Sequence, residues 1–450
     1  MKLIKEKIFL TYDIRGKYPT EINADVFWRL GYFLPKILQQ QNILSSKKIK
    51  IIVGRDNRSN GLILTKNLFQ GLIQNDVEVV DAGIITTPML YFLIKNYNFD
   101  LGFMITASHL KENYNGLKIY TQNLDCLSGK WLANFLNIFN QSAVIGLSKG
   151  KIIRKNFINQ YAQFLIETSN IKKNEKQLKK LQTKNILVCC PKNTQSILEK
   201  LKKELRLKIH FIHQPIEKRL LIQKNLDLFI QFDNDGDRLY VFDDNGKKIL
   251  GDIIGAFFIE LIELNSQENK NKKIILDYRS TELLNKLAKK YHFQPIYSPS
   301  GHGIFKKAMR ENNALLGIEK SGHYYWKDFF FADSGIYSFL MLLIFLTNKK
   351  ESLNNLVTEF VQKQIILPEI NFKIKSQKKM DKIFKEVEKA FCQNKINKED
   401  GLTVFDKNFK FNIKDSQTES NVLRLNIEAK SKDILDNQLA IIKKIINKYK

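Results

Sequence analysis

Residues Asp227–Asp244 read Asp-Leu-Phe-Ile-Gln-Phe-Asp-Asn-Asp-Gly-Asp-Arg-Leu-Tyr-Val-Phe-Asp-Asp. Two apolar runs, Leu228–Phe232 and Leu239–Phe242, predict short buried strands. The turn between them carries Asp233, Asp235 and Asp237, interleaved with Asn234 and Gly236. Carboxylates this close repel one another unless a cation neutralises them, and alternate positions on one turn can converge on one ion. Oxygen-only ligands in an open loop suit Mg²⁺, which keeps coordination positions free for a phosphate oxygen. An EF-hand is the obvious rival, but its sixth and twelfth loop positions need Gly and Glu, where this chain has Arg238 and Asp244. A solvated acidic turn is the plainer alternative.

A chain of 450 residues has room for roughly three or four domains of about 100–150 residues. Hydrophobic content of 44% builds real cores and excludes a disordered chain. The net charge of +27 raises nucleic acid or an anionic membrane as partners. The lysines, however, are scattered along the chain beside Asn and Ile, so compositional bias accounts for the charge better than a binding patch does. No specific nucleic acid and no membrane is expected; a small anionic substrate is. Cys126, Cys189, Cys190 and Cys392 show no metal-ligand spacing, and reduced thiols are predicted. Met1–Thr11 lacks the apolar core of a signal peptide, and Ser338–Leu346 falls far short of the ~20 residues a membrane helix needs. The expectation is a soluble, cytoplasmic protein.

Ahead of the aspartate turn, strand signals (Ile49–Val53, Val77–Val80, Leu101–Ile105) alternate with helical spacing (Asn60–Ile73, Thr87–Tyr97). Such alternation predicts a mainly parallel sheet, whose functional loops lie at the carboxyl ends of strands. Ser108 falls at such an end. A second unit runs through strand Ile186–Cys190, helix Thr194–Leu205 and strand Ile209–Ile212 into the aspartate turn. A third begins near Gly251 and is closed by helix Gly335–Thr347. Beyond Pro368 the order becomes strand–helix–strand–strand–helix, a small α+β module. The expected fold class is therefore α/β: three similar mixed α/β domains at 1–145, 146–248 and 249–362, and a smaller C-terminal α+β domain at 363–450.

Thr106-Ala107-Ser108-His109, followed by Tyr114-Asn115-Gly116-Leu117-Lys118, gathers a hydroxyl, an imidazole, a glycine turn and an amine. Serine after a buried strand can be a nucleophile, and lysine can position a phosphate or move a proton. A polar loop cap explains the same residues. No hydrolase elbow of the Gly-x-Ser-x-Gly kind is present.

Taken together, Tyr12-Asp13-Ile14-Arg15-Gly16, Thr106–Lys118, Asp233–Arg238, Ser300–Phe305, Gly317–His323 and Lys414–Ser420 resemble the motifs of the α-D-phosphohexomutase superfamily, in that family's order. Phosphomannomutase/phosphoglucomutase is the most similar group. The resemblance implies four domains around a central active-site cleft. It makes Ser108 the carrier of the transferable phosphoryl group, with one Mg²⁺ held by that phosphate and by Asp233, Asp235 and Asp237. Arg15, His109, Lys118 and Arg238 would serve catalysis, with Tyr12 lining the phosphate. His302 would touch the sugar phosphate, and Glu319, Ser321 and His323 would read sugar hydroxyls. Lys414, Ser416, Gln417 and Thr418 would clamp the phosphate that is not transferred.

The chain departs from the family in places. Leu110-Lys111 stands where Asn-Pro is usual, Lys414 where Arg is usual, and Ile318 and Lys320 flank Glu319. Losing the proline predicts a less rigid serine loop, and losing the arginine gives up bidentate geometry. The resemblance implies reversible conversion of mannose or glucose 1-phosphate to the 6-phosphate, through phosphoserine and a hexose 1,6-bisphosphate that also acts as activator. A phosphoglucosamine mutase is the near alternative. A basic scaffold on a degenerate mutase body, binding nucleic acid or anionic surfaces, is the non-enzymatic one. A monomer or a homodimer fits equally.

Overall fold

The structure, a computed structural model, describes residues 3–44, 46, 48–142, 150–213, 226–243, 246–265, 272–361, 364–416 and 421–449. They form two compact units: Met1–Lys247 with Asp328–Thr347, and Lys248–Lys327 with Asn348–Lys450.

The first unit contains two sheets. Strands β1 (Ile14–Lys17), β2 (Ile49–Arg55), β3 (Val77–Ile84), β4 (Leu101–Ile105), β5 (Tyr114–Thr121) and β6 (Lys151–Arg154) lie in the order β1-β5-β4-β2-β3-β6. The β-branched run of β2 is buried and pairs in parallel with both β3 and β4. Each such Ile or Val contributes about 1.5–3 kcal/mol on burial. On the far side, β5 pairs antiparallel with β4 and with β1, so the sheet is mixed. Alternation along β5 sends Leu117 and Ile119 into the core that also holds Phe27, Leu30 and Leu34 of the helix Ala24–Gln40. Lys118 and Tyr120 take the opposite face. The second sheet runs β10-β9-β7-β8, from β7 (Asn185–Cys189), β8 (Lys208–Ile212), β9 (Leu228–Phe232) and β10 (Leu239–Phe242). The two strands predicted on either side of the aspartate turn are β9 and β10, and they pair antiparallel.

One finding departs from the sequence expectations, and one adds to them. Gly116 is not in a turn. It lies within β5, where a side-chain carbon would come within 2.0 Å of Ile14 O, so glycine is there for close approach of two strands. By its packing, the helix Gly335–Thr347 falls with the first compact unit. Phe339 packs edge-on against Phe232, the Tyr337 hydroxyl donates to Thr168 O (3.4 Å) and Lys180 Nζ donates to Thr347 O (2.8 Å). A helix apolar on nearly every side needs cover all round, and chain order does not say who provides it.

The second unit has a sheet of β11 (Lys272–Asp277), β12 (Phe293–Ser298), β13 (Leu316–Ile318) and β14 (Tyr324–Trp326). β11 is parallel to β12 and β13, and β14 returns antiparallel to β13. The C-terminal sheet is antiparallel, ordered Ile365–Ile366, Val422–Ala429, Phe409–Asp415, Leu402–Phe405, Lys395–Asn397, with Ile370–Lys373 also paired to Val422–Ala429. Helices Gln377–Ala390 and Lys432–Asn447 bury Met380, Ile383, Val387, Leu435, Ile442 and Ile446 against it. Among the described residues no helix is long and apolar enough to cross a membrane.

Candidate active site

Ser108 sits three residues beyond the carboxyl end of β4, in the left-handed region (φ 51°), and is almost fully buried. Its loop meets the aspartate turn directly: Asn234 Nδ2 donates to Ser108 O at 3.0 Å. Thr87, opening the helix Thr87–Asn96, donates its backbone N–H to Asp235 O (2.8 Å) and its hydroxyl to Asp235 Oδ2 (3.0 Å). Asn193 Nδ2 donates both to Ile85 O (3.0 Å) and to Asn234 O (2.9 Å), tying the turn to the loop after β3. Gly236 has φ 73°, and a side-chain carbon there would lie 2.8 Å from Thr86 and 3.0 Å from Thr194. Both conformation and space require glycine at that point.

Carboxylate oxygens of Asp233, Asp235 and Asp237 lie within 4.8 Å of one another, and all three residues are buried. Asp233 Oδ2 and Asp235 Oδ1 accept no hydrogen bond among the described residues. Burial, and then the charges of Asp237 and Asp235, push the Asp233 carboxyl well above the usual carboxylate range. Buried, oxygen-only and electron-rich, this set fits a divalent cation.

The cationic side chains predicted here converge on the same place. Lys118 Nζ donates to Asp235 Oδ2 (2.6 Å) and Asp237 Oδ2 (3.2 Å). Burial opposes its charge, yet the two aspartates outweigh burial and hold it firmly as an ammonium. Arg238 lies 3.6 Å from Asp233 Oδ2, donates to the Tyr240 hydroxyl (3.1 Å) and places Nη2 3.1 Å from His109 Nδ1. A guanidinium only donates, so His109 Nδ1 is the acceptor there and the proton of the neutral ring is on Nε2. The same nitrogen is 3.5 Å from Ser108 Oγ. Arg15 is held by Asp13 Oδ2 (2.9 and 2.7 Å) and reaches Ala107 O at 3.3 Å. Tyr12 is half-buried, and its carbonyl accepts from Cys126 Sγ. Thus Ser108, His109, Lys118, Arg15, Arg238 and the aspartates form one cluster within the first unit.

In the second unit, Glu319 follows β13 and is buried. Its Oε1 accepts from Gly301 N (2.9 Å) and the Tyr325 hydroxyl (3.3 Å), and its Oε2 accepts from Ser321 Oγ (2.9 Å) and lies 3.2 Å from His323 Nδ1. Burial disfavours the carboxylate, but His323, Arg279 and the Gly301 amide overcome it and hold Glu319 well below the usual range. His302 opens the helix His302–Glu311. Lys414 is buried and donates to Asp400 Oδ1 (2.6 Å) and Ser300 Oγ (2.7 Å), fastening the C-terminal sheet to the Ser300 loop. Ser416 is half-buried at the end of that strand, and its N–H donates to Val422 O (2.8 Å). Gln417 and Thr418 lie outside the described residues.

The phosphoglucomutase/phosphomannomutase models for alpha/beta/alpha domain I and domain III match residues 6–127 and 250–364. A phosphomannomutase of Methanocaldococcus jannaschii is 30% identical, covering 98% of both chains. This chain belongs to the phosphoglucomutase/phosphomannomutase family. A phosphomannomutase/phosphoglucomutase of Pseudomonas syringae pv. tomato is 28% identical over 83% of this chain and 80% of that one. The crystal structure of a phosphoglucomutase/phosphomannomutase family protein from Burkholderia thailandensis superposes with a TM-score of 0.82 at 22% identity, covering 99% of this chain and 98% of that one. The open form of a Paramecium phosphoglucomutase, parafusin, gives 0.75 at 14% identity, over 97% and 94% of the two chains. The family's multi-domain fold is the fold observed here, and the chain is a mutase enzyme of the α-D-phosphohexomutase superfamily.

Residues that sequence reasoning passed over are the ones joining the two loops of this mutase: Thr87, Asn193 and Asn234. Only Asn234 carried a signal, by its place inside the aspartate turn. Thr87 and Asn193 are about 150 and 40 residues from the turn and act through backbone proximity that no local pattern encodes.

Proposed function

We propose that this phosphohexomutase interconverts hexose 1-phosphate and hexose 6-phosphate of mannose and glucose, through phosphoserine at Ser108 and a hexose 1,6-bisphosphate. The carrying observation is the 3.0 Å bond between Asn234 and Ser108 O, which ties the serine loop to the aspartate turn. In the forward half-reaction the bond from phosphorus to Ser108 Oγ breaks and one to the sugar O6 forms. The hydroxyl proton leaves O6, and Ser108 Oγ takes one up. The bisphosphate turns over, its O1 phosphoryl group passes to Ser108, and hexose 6-phosphate remains.

His109, whose Nδ1 lies 3.5 Å from Ser108 Oγ, would take up and return the proton when Arg238 turns to the phosphoryl group. Lys118, fixed as an ammonium, neutralises phosphoryl charge rather than acting as base. Arg15 and Arg238 line the same charge. Asp233, Asp235 and Asp237 would hold Mg²⁺, which when bound draws charge from the phosphoryl oxygens. In the second unit, Glu319, Ser321 and His323 would read sugar hydroxyls, with His302, Lys414, Ser416, Gln417 and Thr418 on the idle phosphate. The test is turnover of mannose, glucose and glucosamine 1-phosphates with Mg²⁺ and catalytic hexose 1,6-bisphosphate. Preference for glucosamine 1-phosphate over both others would overturn the substrate assignment.

A further inference from the structure

We infer that Arg58, which no motif singled out, is the positioning residue that sets the reactive geometry of the Ser108 loop. The side chain is buried, and each N–H of its guanidinium has an acceptor. Nε donates to Asp56 Oδ2 (3.1 Å), Nη1 to Lys111 O (2.7 Å) and Tyr114 O (3.1 Å), and Nη2 to Ser108 O (2.7 Å) and Leu110 O (2.7 Å). A guanidinium has five donors, so none is left for a substrate. Arg58 therefore acts only through the loop.

The loop needs that hold. Ser108 is in the left-handed region, which costs a non-glycine residue energy, and Leu110-Lys111 supplies no ring to restrict the chain. Four carbonyls around one planar cation replace such a restriction with hydrogen bonds to a charged group, each stronger than a neutral one. The cation is itself fixed from behind. Asp56 Oδ1 accepts from Arg58 N (3.0 Å), while Asp56 Oδ2 also takes the Thr106 hydroxyl (2.6 Å). Thr106 Oγ1 in turn accepts from Ser108 N (2.8 Å). Both the N–H and the C=O of Ser108 are thus traced to the Asp56–Arg58 pair, which leaves Oγ as the part of the residue free to do chemistry. A lysine has three donors on a point charge and cannot span four carbonyls and a carboxylate.

This inference rests on Ser108 carrying the phosphoryl group. The experiment follows label transfer from ³²P-labelled hexose 1,6-bisphosphate to the full-length enzyme, alongside steady-state kcat and KM per folded molecule. R58K is expected to lower kcat and the labelling rate about a hundredfold, the order a displacement of about 1 Å costs, with KM within about threefold. Amide exchange at Ser108–Tyr114 should quicken with it. If R58K transfers label within twofold of the wild-type rate, or loses only KM, Arg58 does not position the serine. D56N guards against a misfolded lysine variant: it keeps the shape but loosens the guanidinium, and about a tenfold fall in kcat is expected. Unchanged kcat in D56N counts against the inference equally. S108A separates the two claims, since label retained by S108A sinks the nucleophile itself, whereas an unlabelled S108A beside a fast R58K sinks only the role of Arg58.

Discussion

The aspartate turn of the first unit and the Glu319 loop of the second are both buried and acidic, yet they are finished differently. Asp233 and Asp235 each keep an oxygen with no hydrogen bond among the described residues, and Lys118 compensates only part of the charge. Glu319 faces four internal groups, from Gly301, Tyr325, Ser321 and His323, about the number of acceptor sites a carboxylate has. An unsatisfied anionic set waits for a cation; a satisfied one is already stable as an anion. The first is built for charge that comes and goes. The second is a fixed acceptor, and in the proposed function it would trade a Ser321 or His323 contact for a sugar hydroxyl.

The sharpest way to break this contrast is at the group the turn serves. S108A should lose on the order of 10⁴-fold in kcat, because the covalent route disappears while the surrounding charges persist. Retained activity would mean that the turn supports some other chemistry. Next comes the turn itself. D235N is isosteric but removes a charge, and Mn²⁺ binding measured by calorimetry should weaken roughly a hundredfold. Mg²⁺ is expected to raise the wild-type Tm by mass action, and that rise should vanish in D235N. Equal Mn²⁺ affinity in D235N would assign the unpaired oxygens to something other than a cation.

For the second region the expected effects are smaller. E319Q keeps the shape and loses one charge, and kcat/KM should fall roughly 10–100-fold, the range of a charge-assisted hydrogen bond. Mn²⁺ affinity should not change. A matching loss of Mn²⁺ binding in E319Q would erase the distinction between the two loops.

How much of this could be read from the chain alone follows the same line. The aspartate turn was legible because its carboxylates are neighbours in sequence and its flanking strands are short apolar runs. Ser108 was legible as a hydroxyl at a strand end. Gly116 was misread as a turn, because glycine looks alike in a turn and in a tight strand crossing; only the approach of Ile14 separates them. The helix Gly335–Thr347 was found to the residue, but its partners were not, since an all-apolar helix carries no stripe to say which core it joins. Lys414 was read as a substitute for arginine, whereas its partner Asp400 is named by nothing local.

The smallest expected effect concerns stability and another kind of buried acid. Glu428, on the strand Val422–Ala429, takes the N–H of Glu282 on Oε1 (2.8 Å). Burial pushes its carboxyl up to about 7, against the opposing pull of Lys410 and Lys320 and with a further push from Asp252. The folded state then holds a proton that the unfolded chain releases near its ordinary 4.5. Between those values stability must fall as pH rises, the reverse of the slope contributed by Glu319, whose depressed value makes its stabilisation appear above the unfolded value and fade only in strong acid. The interval corresponds to at most about 3 kcal/mol. E428Q cannot titrate, so its stability relative to wild type should improve by up to that amount from pH 5 to pH 8, measured by urea unfolding at each pH. Parallel curves for the two proteins would show that Glu428 is ionised throughout, paired with Lys410 as Asp235 is with Lys118, and the two units would then share one way of keeping buried charge.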